Sequence, residues 1–192
     1  MTEAAKDKRD ALLQTALTLF TERGFYGTPT SQISREAGVA TGTLFFYFKT
    51  KEELIDTLYR DIKAEAGMAL RQGIDKESTI ERRLRRVCIN FIGWGTKNPA
   101  KMQFMEQFEH SSFVSRCAHD EGMLNFTFLY GIVDEGIRKG IIKNFSTDLI
   151  FHYLASSGSG VIGLIQKTSN PEERKALTEQ ALDLLWNGLG TQ

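Results

Sequence analysis

Apolar residues recur three and four positions apart along most of the chain, without the strict alternation of strands, and this spacing predicts helices. Between Lys6 and Arg23, Leu12, Leu13, Ala16, Leu17 and Phe20 share one face, while Lys8, Arg9, Gln14 and Glu22 occupy the other. Gly24 ends this first helix, because a glycine just past a helix end takes a positive φ without a steric penalty. Gly27-Thr28-Pro29-Thr30 then reads as a turn into a short second helix, Ser31 to Ala37, with Thr30 or Pro29 at its start and Ile33 and Ala37 facing inward. Gly38 separates it from a third short helix, Thr41 to Phe48. A long fourth helix starts at Thr50 or Lys51, with Glu52 and Glu53 suiting its first turn and Leu54, Ile55, Leu58, Ile62 and Ala66 forming its stripe.

The same reading continues to the end. Ser78-Thr79-Ile80-Glu81 reads as a capping box opening a helix through Leu84, Val87, Cys88, Phe91 and Ile92. Pro99 closes that helix and opens another. Asp120 to Lys139 forms one helical stretch ended by Gly140, and Ser146 or Thr147 caps the next, through Ile150, Tyr153, Leu154 and Ile162. Asn170-Pro171 supplies a cap and a first-turn proline for a last helix reaching Trp186. With no strand pair or repeat, the predicted class is all-α with about nine helices. A three-helix amino-terminal head precedes a helical carboxy-terminal body, with domains at 6–66 and 67–192.

Composition narrows the function only in places. Two cysteines, Cys88 and Cys117, are too few for a disulfide framework or a zinc site. His110, His119 and His152 lack ligand-type spacing, so neither metal nor cofactor is expected. No apolar run approaches a bilayer's thickness and the polar start lacks a secretory core, which leads to a cytoplasmic protein with no membrane partner. The net charge is zero, but residues 1–51 carry seven Lys or Arg against five Asp or Glu, a net of +2 balanced by −2 in the remainder. A weakly basic head on a weakly acidic body permits a nucleic-acid partner. No nucleophile with a base at recognisable spacing and no phosphate-cradling glycine loop supports an enzyme.

The chemistry-bearing stretch is TSQISREAGVATGTLFFYF, within residues 29–48, where two short helices flank Gly38. This is a helix-turn-helix pattern. Ala37 lets the helices approach, and Ile33, Val39 and Leu44 lock the pair onto the first helix. The second helix of the pair is left with a solvent face to enter a DNA major groove. In order and spacing, LFTERGFYGT, SQISREAGVATGTLFFYF and KTKEEL resemble the TetR/AcrR family of bacterial transcriptional regulators over roughly Lys6 to Ile62. The resemblance implies a homodimeric repressor or activator, of which the repressor is the favoured reading, that binds a double-stranded DNA operator and responds to a small-molecule inducer. It implies that Thr30 and Ser31 touch phosphate or a base edge and that Thr41, Gly42 and Thr43 read bases. Phe45 and Phe46 belong to the same face, Tyr47 and Lys51 match phosphate-contacting positions, and Lys49 is a further expected DNA-binding residue. Phe45 stands where the family most often has tyrosine. A helical adaptor that has lost DNA binding is the alternative.

In the body, aromatic and sulfur side chains are dense. Those expected to line an apolar or aromatic ligand pocket are Phe91, Trp94, Met102, Met105, Phe108, Phe126 and Tyr130, with His152 orienting a polar ligand group. Ser156 to Gly160 puts small residues in mid-helix, where glycine costs about 1 kcal/mol relative to alanine and calls for close packing. Ser157, Gly158 and Gly160, with Leu177, Ala181 and Leu184 on the last helix, are the expected dimer surface.

Overall fold

The computed structural model describes residues 3–109 and 111–191, so His110 lies outside the described residues. Among them are α1 (Glu3–Arg23), α2 (Thr30–Glu36), α3 (Thr41–Tyr47), α4 (Lys51–Arg71) and α5 (Ile80–Lys97). They continue with α6 (Pro99–Phe108), α7 (Arg116–Met123), α8 (Thr127–Arg138), α9 (Thr147–Lys167) and α10 (Pro171–Leu189). The described residues form no strand beyond one isolated bridge between Ile142 and Gly190. The fold is all-α, as the periodicity predicts.

Two local readings need correction. The expected single helix over residues 120–139 is divided by a short 3-10 turn, Leu124–Phe126, and its first part begins earlier, at Arg116. Ser115 explains the early start: its hydroxyl accepts from the Ala118 N–H at 3.1 Å while donating to Asp56 at 2.6 Å. The capping box at Ser78 does not form. Thr79 is the cap, accepting from the Arg82 N–H, and Glu81 instead pairs with Arg85 one turn on. The caps at Ser146 and Asn170 are as expected.

By packing, the chain divides into two compact units: the described residues of Met1–Lys63 with Pro99–Gly122, and the described residues of Ala64–Asn98 with Met123–Gln192. This differs from a cut after residue 66, because α6 and α7 join the head. α6 packs on α1, with Phe108 6.0 Å from Phe20 and with Gln103 and Gln107 donating to the Thr21 carbonyl. α7 is tied to α4 by Asp56–Ser115, by Arg60–Glu121 and by a buried pair, Lys63 to Glu109 at 2.8 Å, just before it. Burial lowers the Lys63 pKa, against the raising effect of Glu109. Gly122 is required here, since a Cβ would stand 2.8 Å from the Tyr59 ring.

In the second unit, α9 packs against α5, α8 and α10, burying Ile150, Leu154, Ile162 and Ile165. Contrary to the sequence expectation, α9 is long and apolar enough by composition to cross a membrane. Its other face explains this. Leu149, Tyr153 and Leu164 are exposed, so the helix is apolar on two sides.

Candidate nucleic-acid interface

The first three helices hold the interface in place from inside. Ile33 of α2 and Leu44 of α3 have no exposed surface and join Leu12, Ala16 and Phe20 of α1 in the core of the unit. Val39 and Ala37 are only half-buried at the turn. Gly38 takes a φ of +70°, in the left-handed region that a side chain disfavours, and lets the Val39 N–H reach the Ser34 carbonyl at 2.9 Å. Upstream, the buried Thr28 hydroxyl lies 3.0 Å from the Leu19 carbonyl and 2.8 Å from that of Gly24, pinning the start of α2 to the end of α1.

With its inner side anchored by Leu44, α3 turns Thr41, Gly42, Phe45 and Phe46 outward, Phe46 being 74% exposed and Phe45 41%. Thr43 and Tyr47 are half-buried at the edges of the same face, and the Phe46 and Tyr47 rings meet edge to face at 5.2 Å. A Cβ added at Gly42 would meet nothing within 4 Å, so the chain's own packing does not require glycine there. Two adjacent phenylalanines held in water on a short helix form a surface suited to a partner rather than to the chain's own core. On α2, Ser31 is exposed and Thr30 half-buried.

At the start of α4, the Thr50 hydroxyl accepts from the Glu53 N–H at 3.0 Å, and the Glu53 carboxylate accepts from the Lys49 N–H at 2.6 Å. This reciprocal cap, missed in the sequence, leaves the Lys49 side chain exposed. Lys51 corrects the expectation. Its ammonium donates to the Phe25 carbonyl and stands 4.0 Å from the centre of the Phe25 ring, and burial lowers its pKa despite Glu52 nearby. The expected phosphate contact is turned inward.

The residues expected to form a ligand pocket are not gathered in one unit. Met102, Met105 and Phe108 belong to the first, where Met102 and Phe108 are core side chains on α6. Phe91, Trp94, Phe126, Tyr130 and His152 belong to the second. There the Trp94 indole donates to Glu65 at 3.0 Å, and Tyr130 stacks on Phe151 at 5.0 Å. His152 is exposed on α9, which overturns an inward role for it as placed here. A second correction concerns Gly158. A Cβ there would stand 2.6 Å from the Phe91 ring, so its smallness serves packing within the chain. Ser157, Gly158 and Ala181 line a crevice of about 30 Å³ with Phe91. Gly160 and Leu184 are exposed, and Leu177 is half-buried. A larger open cleft, about 420 Å³, is lined by residues including Thr79, Arg83, Glu135, Lys139 and Trp186 and contains none of the expected pocket residues.

The described geometry defines a helix-turn-helix head with an outward recognition helix. Comparison with known proteins agrees. The profile of bacterial regulatory proteins, tetR family, matches residues 12–58. The chain is 28% identical over 145 residues to the fatty acid metabolism regulator protein of Bacillus subtilis, covering 72% of this chain and 74% of that one. It is 25% identical over 160 residues to the HTH-type transcriptional repressor KstR2 of Rhodococcus jostii, covering 80% and 77%. A solved structure from Shewanella sp. PV-4, assigned to the tetR family of transcription regulators, superposes with a TM-score of 0.88 at 26% identity, over 96% of this chain and 99% of that one. The transcriptional regulator FadR of Bacillus subtilis, solved in complex with stearoyl-CoA, shares the fold, with a TM-score of 0.76, 21% identity and coverage of 93% and 97%. Residues 12–58 thus belong to the tetR family of bacterial regulatory proteins, and the chain is a DNA-binding transcriptional regulator.

Proposed function

We propose that the chain is a homodimeric, cytoplasmic repressor without catalytic activity, whose two heads grip a palindromic operator and let go when the body binds a small, largely apolar or aromatic molecule. The observation that carries the DNA reading is the outward face of α3, where Thr41, Gly42, Phe45 and Phe46 have no role in the chain's own core. In a two-fold dimer the two α3 helices would enter successive major grooves about 34 Å apart. Thr30, Ser31, Tyr47 and Lys49 would flank them on phosphates, with Thr43 at the base edges.

The ligand reading draws support from relatives. One is named for fatty acid metabolism, and another was solved with stearoyl-CoA. Phe91, Trp94, Phe126 and Tyr130 of the second unit are the aromatic side chains we assign to the contact with such a molecule. The repressor reading is supported by the named repressor among the relatives.

The test is fluorescence anisotropy of purified protein on DNA from upstream of its own gene and on scrambled DNA of equal length, at two salt concentrations. Tighter binding to the upstream duplex at both salts is expected. Equal binding to both duplexes at both salts, together with no enrichment in a genome-wide binding selection, would remove the regulator reading.

A further inference from the structure

We propose that Tyr26 is a phosphate-backbone contact of the DNA-binding head and that Phe113, in the loop between α6 and α7, is the residue that positions it. The inference rests on the DNA-binding reading and adds to it a contact that comes from neither helix of the helix-turn-helix. Tyr26 is 86% exposed, the most exposed of the large hydrophobic side chains in the described chain. Its place in the head is fixed by its neighbours. The Lys51 ammonium, extending from the first residue of α4, binds the carbonyl of the peptide that joins Phe25 to Tyr26. Two residues further on, the buried Thr28 ties the turn to the end of α1, and α2 begins at Thr30. The tyrosine therefore stands at the end of the head where α2 and α4 both start, and where phosphates are expected to run. A lysine charge lies directly beneath its peptide.

The ring is also held. Phe25 and Phe113 stack at 4.2 Å, and Tyr26 stands edge-on to both, 5.6 Å from Phe25 and 5.2 Å from Phe113. Edge-to-face aromatic contacts of this kind favour one orientation of the ring. The phenol is thus a donor presented to solvent on a fixed arm, with little side-chain entropy left to lose on binding. A phenol O–H donating to a phosphate oxygen makes a strong hydrogen bond to a charged group. Because the phenol is neutral, the contact releases no counterion and leaves the salt dependence of binding unchanged. Phe113 belongs to the segment Pro99–Gly122, so a rearrangement of that segment would move a DNA contact without any change in α3.

Tyr26→Phe tests this without disturbing the fold, since only a solvent-facing hydroxyl is removed. Phe113→Leu, which keeps most of the volume but no ring, and the double variant complete a cycle. All are measured by anisotropy on a duplex selected from a random pool by the wild-type chain and on a scrambled duplex, across a salt series. Tyr26→Phe should weaken binding about tenfold on both duplexes with an unchanged salt slope. In the Phe113→Leu background, removing the hydroxyl should cost clearly less than tenfold. Wild-type affinity in Tyr26→Phe overturns the contact, and a loss confined to the selected duplex overturns its assignment to phosphate. A full tenfold loss in both backgrounds overturns the role of Phe113. If the wild-type chain enriches no duplex, the regulator reading fails, an outcome separate from all of these.

Discussion

Lys51 stands at the start of α4, where a cation facing phosphate is expected, yet its ammonium is held by the Phe25 carbonyl and the faces of two phenylalanines, 4.0 Å from Phe25 and 5.8 Å from Phe20. Lys49, two residues earlier, is exposed. The two lysines should therefore separate cleanly in experiment. Lys49→Ala should lower the slope of log affinity against log salt by about 1 and leave stability within about 0.5 kcal/mol. Lys51→Met should leave the slope unchanged and lower unfolding stability by about 1–2 kcal/mol, the worth of a cation–π contact with a hydrogen bond. Salt-dependent anisotropy and urea unfolding measure both, and a reduced slope in Lys51→Met would return that side chain to the DNA. The sequence shows that a lysine is present at position 51. It does not show that a flexible stem will turn toward a carbonyl 26 residues upstream.

At the scale of the element, α9 carries two apolar faces for two different reasons. One is accounted for within the chain, where Ile150, Leu154, Ile162 and Ile165 are buried and Gly158 makes room for Phe91. The other presents Leu149, Tyr153, Gly160 and Leu164, and on α10 Leu184 is 73% exposed. A Cβ at Gly160 or Gly163 would meet nothing within 4 Å, so those glycines are open to a close approach from another molecule. If this is the dimer face, Leu164→Glu with Leu184→Glu should turn a dimer into a folded monomer at micromolar concentration in sedimentation analysis, with helix content unchanged. Gly158→Ala should instead leave association intact and lower stability by about 1–3 kcal/mol through overpacking against Phe91. A dimer that survives both glutamates would place the interface elsewhere. Helix periodicity and caps made most of the elements legible, because these signals act within a turn or two of the chain. The early start of α7 at Arg116 is not legible, because it depends on Ser115 meeting Asp56, 59 residues away.

For the whole molecule, the head is larger than its sequence motif. α6, α7 and the loop between them join the head through contacts to α1 and α4 between residues 46 to 86 positions apart, which no local pattern announces. The fold class and the outward residues of α3 could be read from sequence because they follow from spacing, whereas this partition follows from tertiary packing. It bears on regulation, since the segment that packs against α1 and α4 also lies in the chain between the stretches that form the second unit. If a ligand acts by favouring an arrangement of the chain that DNA disfavours, the coupling must be the same in both directions. With stearoyl-CoA as the first probe, a saturating concentration should weaken binding to the selected duplex about tenfold or more, a coupling of at least ~1.4 kcal/mol. Calorimetric titration of the protein–DNA complex should then show stearoyl-CoA binding weakened by the same factor relative to free protein. A molecule that binds free protein and complex with equal affinity shifts no equilibrium, however tightly it binds, and finding this for stearoyl-CoA would exclude it as the releasing ligand.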